Sequence, residues 1–429
     1  MNDAFLRVPN ARPLRFPRAP GRKTSLVLLA IILGSSFFCR MAPNSLQQSM
    51  QLGMGLDDNQ VALVLGTAMA VPAVLGGIPI GLLADRFNRA RMLRIFCALN
   101  ILGTLATAFS TRLWMLVGAR ALVGLSTAAV AITIPSLLAD LFPLSHRGRG
   151  SMIYGVAQVV GMSAAFAAGG VLANISTASS MWRAGMFAMS VPLFFVFLLS
   201  VTLREQPRHE VALDRPTLAR SCAELWAYRG VFLPLLGGLA AIGVADGATL
   251  VWVVPTLSRS FGVSTAYANS GMSMALFVGG LFGPVIGGIV ADRSLRGGPV
   301  RALTALALLA LLSGGLGMFA LAPGALFAVV CLTAYLLTGG MIVAMELTLI
   351  TVLFPNELRG FCTSVLSTAQ ILLSFGLAPG LVSFVAQKSG GAIGIGPALA
   401  SVCAGASLVC AVAYGLGRHY LARQSARSI

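Results

Sequence analysis

Four ionisable side chains, Arg40, Arg120, Asp246 and Glu346, interrupt apolar stretches that are otherwise free of charge. An ionised group facing hydrocarbon is costly, so charges in such stretches turn toward one another, toward a water-filled path or toward a ligand. Arginine offers an anion charge-assisted, bidentate hydrogen bonds. A carboxylate in a dry site favours its neutral form and a neighbouring arginine favours its ionised form, so changes in exposure or pairing can drive proton uptake and release. Arg40 and Arg120 are therefore candidates for binding an anionic substrate. Asp246 is a candidate for both substrate binding and proton coupling, and Glu346 for proton coupling. Arg40 can alternatively pair with Asp246. Asn44 and Gln48, one helical turn apart beside Arg40, add hydrogen-bonding capacity, as do Gln158 and Gln370, while Trp252 and Tyr335 can supply an amphipathic wall.

The elements that must position these groups follow from composition. The 429 residues are 57% hydrophobic and only 10% charged, with a mean hydropathy of +0.87. That is too little charge to cover a water-soluble surface. Twelve apolar segments are long enough to cross a bilayer as helices: 25–47, 60–83, 92–110, 113–139, 150–173, 183–203, 231–256, 267–290, 300–321, 325–352, 361–386 and 395–416. The expected fold class is an all-α polytopic membrane protein. The first run is too long for a secretory signal and lacks a small-residue cleavage site.

The net charge of +17 comes from 30 basic residues, 28 of them Arg, against 13 acidic ones. With the amino terminus inside, 24 basic residues fall in cytoplasmic segments and four (Arg112, Arg183, Arg259 and Lys388) in external ones. This asymmetry places both termini in the cytoplasm and accounts for the charge without nucleic acid. The seven cysteines form no close pair. No P-loop, metal cluster or Ser-His-Asp arrangement is recognisable, so neither an enzyme nor a cofactor is expected.

The chain repeats itself. Gly81-Leu-Leu-Ala-Asp85-Arg86 corresponds to Gly288-Ile-Val-Ala-Asp292-Arg293, and Leu141-Phe142-Pro143 with Arg147-Gly148 corresponds to Leu353-Phe354-Pro355 with Arg359-Gly360. The second offset also places Gln158 on Gln370. The expected domains are a basic arm (1–24), a six-helix bundle (25–203), a linker (204–230) with a short interfacial helix at 221–228, a second bundle (231–416) and a tail (417–429). Parallel repeats of this kind suit two bundles that rock about a central cavity.

Gly81-Leu-Leu-Ala-Asp-Arg-Phe-Asn-Arg-Ala-Arg91 and Arg120-Ala-Leu-Val-Gly124 resemble signatures of the major facilitator superfamily, and Arg120 through Phe142 is similar in part to bacterial spinster-like members. The chain lacks that superfamily's Gly-Pro antiporter motif in span five. The resemblance implies that spans one, four, seven and ten line the cavity. It also implies a cytoplasmic gate of Gly81, Asp85, Arg86 and Arg89, echoed by Asp292 and Arg293. The expected function is alternating-access, proton-coupled transport of a small or amphipathic organic anion; multidrug or lysolipid-like efflux is the alternative, and a non-transporting receptor or scaffold a third reading. The expected partners are a small-molecule substrate, protons and membrane lipids, and the expected setting is a monomer in a bacterial inner membrane.

Overall fold

The computed structural model describes residues 22–142, 147–175, 181–203, 205, 218–388 and 394–427. The basic arm through residue 21, most of the linker, Pro143, and the side chains of Asp85, Arg147 and Glu357 lie outside the described residues. Fourteen helices follow in order: α1 Arg22–Ser45, α2 Gln47–Met54, α3 58–86, α4 Arg89–Phe109, α5 Leu113–Leu141, α6 Arg147–Ile175, α7 Met181–Val201, α8 Leu218–Ala227, α9 Arg229–Phe261, α10 Thr265–Leu295, α11 Pro299–Leu321, α12 Ala325–Leu353, α13 356–388 and α14 Ile395–Arg427. All but α2 and α8 are long and apolar enough to span a membrane, which gives the expected twelve.

The helices outrun their apolar cores, because hydropathy marks only the part that sits in hydrocarbon. α9 and α10 extend several residues past the expected limits, and α14 carries Arg418 and Arg423 beyond residue 416. α8 realises the expected linker helix with its start three residues earlier. Its Leu225 is buried, and at its end Tyr228 packs on Phe354 with ring centres 5.5 Å apart, so the helix is fastened to the second bundle.

With twelve crossings, both ends of the described chain lie on one side of the molecule, together with the Arg-rich loops after α3 and α10; that side is called here the arginine end. At the far end the two halves use the same turn. Gly55 in left-handed conformation (φ 64°) closes α2 and Asp57 caps α3, while Gly262 (φ 65°) closes α9 and Ser264 caps α10. Glycine takes this conformation without the Cβ clash that other residues meet.

Within each bundle small residues let backbones touch. A Cβ on Gly161 of α6 would lie 2.0 Å from the Gly34 carbonyl of α1, and one on Gly247 of α9 would lie 1.8 Å from that of Ser374 on α13. Such contacts replace the hydrophobic drive that is absent between helices in lipid. Gly81 and Gly288, by contrast, face open space. Gly161→Ala is therefore expected to destabilise the protein by about 1–3 kcal/mol through overpacking, seen as a lower melting temperature in detergent, with Gly288→Ala unchanged.

Candidate functional site

A cavity of about 830 Å³ lies between the bundles. Its wall runs from mid-helix residues, Arg40 of α1, Met69 of α3 and Asp246 of α9, down the arginine-end halves of α5, α6, α10 and α12, to Leu138, Ser151, Pro284 and Leu347. It therefore opens toward the arginine end. Its wall is mostly apolar, and among the described residues the charged side chains in it are Arg40 and Asp246.

The far end is sealed by polar contacts between the bundles. The Arg259 guanidinium donates to Gln51 Oε1 (2.7 Å) and pairs with Asp58 (3.4 Å). Asn59 donates to Gln387, Thr265 to Gln48 Oε1 and Asn269 to the Ser45 carbonyl, at 2.9–3.1 Å. Deeper in, Asn44 donates to the Leu250 carbonyl at 3.1 Å. Asn44 and Gln48 thus belong to the seal and are not part of the cavity wall.

One turn beyond Cys39 and Arg40 in α1 comes Pro43. That residue lies inside α1 and has no N–H to give to the Cys39 carbonyl, so the helix has a free acceptor in a dry region. Arg120, fully buried on α5, fills the gap: its guanidinium donates to the carbonyls of Cys39 (3.4 Å) and Arg40 (2.7 Å) and touches Met69 Sδ. Arg120 lies behind Arg40, outside the cavity wall. Arg40 itself stacks on Phe375 of α13, with Cζ 3.6 Å from the ring centre, and lies 5.9 Å from that of Phe37. Among the described residues neither arginine has a carboxylate partner, so the direct Arg40–Asp246 pair that the sequence allowed is not formed; α13 offers Arg40 an aromatic face instead.

Asp246 meets α12 at Gly339, where a Cβ would lie 3.4 Å from Oδ1, and that oxygen has no hydrogen-bond partner. Tyr335, one turn away on α12, is fully buried, with its hydroxyl beside the Asp246 carboxyl and close to Thr249 and Cys403. Gln158 and Gln370 face the cavity from opposite bundles, as does Tyr154 from α6. Trp252 is buried within the second bundle and donates to the Pro379 carbonyl (2.9 Å). Glu346 also lies inside that bundle, away from the cavity wall. It accepts a 2.6 Å hydrogen bond from Tyr414, and its other oxygen has no partner.

At the arginine end Arg89 is buried in an ionic cluster, pairing with Asp140 (2.6 Å) and with Glu205 (2.9 Å), whose second oxygen accepts from the Ala90 N–H. The cluster joins α4, α5 and the chain after α7 within one bundle. Asp140 thus pairs with Arg89, and Arg359 donates to the Phe354 carbonyl where α12 ends. Arg86, Asp292 and Arg293 are exposed. Three groups carried no signal of their own in the sequence: Phe375, one of many phenylalanines; Glu205, just past span six; and the Asp58–Arg259 pair, which joins the first turn of α3 to the last turn of α9, 201 positions apart.

The Major Facilitator Superfamily model matches residues 28–379. A D-xylose transporter of Levilactobacillus brevis is 29% identical over 163 residues, 38% of this chain and 34% of that protein. A triacylglyceride transporter of Mycobacteroides abscessus is 27% identical over 249 residues, 56% of this chain and 43% of that one. The chain thus matches less than half the length of either relative. In fold it is similar to the crystal structure of a bacterial homolog of the human lysosomal transporter Spinster in an inward-facing, unoccupied conformation, with TM-score 0.77, 22% identity and coverage of 94% and 98% of the two chains.

The Pro43–Arg120 relation is open to direct test. Arg120→Ala strands the Cys39 carbonyl and is expected to cost about 1–3 kcal/mol. Adding Pro43→Ala, which restores the backbone donor, should return part of that loss in a thermal melt, and a further drop in the double variant would refute the relation.

Proposed function

Because the chain belongs to the Major Facilitator Superfamily, we propose that it is a secondary transporter working by alternating access, seen here in its inward-open state. The arginine end faces the cytoplasm of a bacterial cell, with both termini inside; the lopsided distribution of basic residues supports this. The bundles rock about the central cavity, and closing the arginine end brings Gly81, Asp85, Arg86 and Arg89 toward the second bundle. The open space around Gly81 and Gly288 suits a gate that is parted in this state.

The substrate in this reading is a lysolipid-like amphiphile with an acidic or zwitterionic head. One observation carries it: a single arginine without a carboxylate partner sits at the inner limit of a cavity whose remaining wall is largely apolar. The head engages Arg40, with Gln158 and Gln370 as hydrogen-bonding partners from the two bundles. The tail lies along Leu138, Val343 and Leu347 toward the arginine end. Arg120 acts through the backbone it holds. Sugar transport, suggested by the names of several relatives, finds support in the paired glutamines but leaves the long apolar wall without a use. A small organic anion is the second reading, since it would use Arg40 equally well.

Proton coupling is assigned to Asp246. Its carboxylate borders the cavity and shares no ion pair, so in this state it can exchange a proton with cavity water, whereas Glu346 is enclosed by its own bundle.

Proteoliposomes with an imposed proton gradient test both assignments, using lysophosphatidylglycerol, xylose and a cationic dye as substrates. Gradient-driven flux of the lysolipid alone is expected. Arg40→Gln should weaken its apparent affinity about 10–100-fold, the worth of a charge-assisted hydrogen bond. Asp246→Asn should abolish accumulation while sparing downhill exchange. Saturable xylose flux with no lysolipid flux would replace the amphiphile by a sugar.

A further inference from the structure

The contact between Arg40 and Phe375 crosses from one bundle to the other at the inner limit of the cavity. Phe375 belongs to a π-helical stretch of α13, Leu372–Leu377, and this packs against a second π-helical stretch, Leu63–Thr67 of α3. The two backbones meet closely. A Cβ on Gly66 would lie 2.4 Å from the Phe375 carbonyl, and Thr67 Oγ1 donates to the Gly376 carbonyl at 2.8 Å. π-helical turns interrupt the regular ladder and recur at functional sites. Here one such turn holds Phe375 against the first bundle, with its ring on the guanidinium face.

A ring stacked on an arginine is attracted by the uncompensated positive charge. The stacked face leaves the guanidinium edges free, and those edges are the part that a carboxylate or phosphate engages. Once an anion neutralises Arg40, the attraction to the ring falls while the geometry still permits both contacts. Anion binding and ring stacking therefore oppose each other, and by linkage each weakens the other to the same extent.

We propose that Phe375 is a positioning residue through which the second bundle senses the charge on Arg40: its ring stabilises the inward-open arrangement while the site is empty, and an acidic head group on Arg40 loosens it. This rests on the reading of Arg40 as the head-group anchor. It explains how a head group anchored on the first bundle at Arg40 can alter the position of the second, and it gives anionic and zwitterionic heads an advantage over neutral ones in triggering the transition.

The test uses the full chain in lipid nanodiscs, with spin labels on the two bundles at the arginine end, for wild type, Phe375→Leu, Phe375→Tyr, Arg40→Gln and the Arg40→Gln/Phe375→Leu double variant. Without ligand, Phe375→Leu should lower the ratio of open to closed distances about 2–30-fold, the range spanned by cation–π contacts. Phe375→Tyr, which keeps the ring, should match wild type, and the double variant should be no more shifted than Arg40→Gln alone. Lysophosphatidylglycerol should shift wild type in the same direction, and should bind Phe375→Leu more tightly by a similar factor. Additive shifts in the double variant, or Phe375→Tyr behaving as Phe375→Leu, would overturn the proposal. Lack of any wild-type response to the lysolipid would count against the substrate reading alone, because the ligand-free comparison still decides whether Arg40 and Phe375 act together.

Discussion

A positive charge in a membrane must be compensated by something, and in the first bundle of this protein no carboxylate among the described residues compensates either Arg40 or Arg120. Arg120 gives its two terminal nitrogens to backbone carbonyls, one of them released by the missing N–H of Pro43, and touches Met69, while its buried Nε has no partner among the described residues. Arg40 is left with an aromatic face from the other bundle and the edge of a cavity. Asp246, half-buried at the cavity, and Glu346, buried beside Tyr414, both lie in the second bundle and pair with neither arginine. In the proposed mechanism these ionisable groups sit on opposite sides of the interface about which the bundles move.

The two ends of that interface differ in kind. The far end is held by side-chain and backbone hydrogen bonds, some of them buried, and by a partly exposed Asp58–Arg259 ion pair that is worth little alone. The arginine end keeps its strongest ionic cluster, Arg89 with Asp140 and Glu205, inside a single bundle. In the proposed rocking motion many weak contacts can be exchanged, while the buried cluster ties α4, α5 and the chain after α7 together. Gly55 and Gly262 place the loops of the far-end seal by the same backbone device, which is how a duplicated unit comes to meet itself there.

The span count, the repeat and the cavity positions of Arg40 and Asp246 were legible in the sequence, because hydropathy reports span existence and a charge in hydrocarbon signals an inward face; Gln158 and Gln370 also line the cavity, but their type alone did not separate them from Asn44 and Gln48. Which way an uncharged polar residue points was not legible. Asn44 shares α1 with Arg40 and Gln48 lies at the start of α2, yet both face the other bundle near the far end, where they close the molecule. Trp252 and Tyr335 pack inside the second bundle, and Glu346 turns to Tyr414, a partner 68 positions away. A span's residues rotate by a fixed angle from one to the next, but its rotation about its own axis is set by neighbours, and those follow from tertiary packing. Phe375 shows the limit most clearly, since nothing in its type or spacing marks it out until α13 is laid against α1.

The most direct test of the account is to locate the head group. A lysophosphatidylglycerol carrying a diazirine close to its phosphate can be photolysed with the protein in nanodiscs and the labelled peptides mapped by mass spectrometry. The expected labels fall on α1 around Arg40 and on α13 around Phe375, compete with unlabelled lysolipid and disappear in Arg40→Gln, with the lipid-facing labels unchanged. Labels confined to the lipid-facing surface, or cavity labels that persist without the Arg40 charge, would contradict the claim that this arginine anchors the substrate.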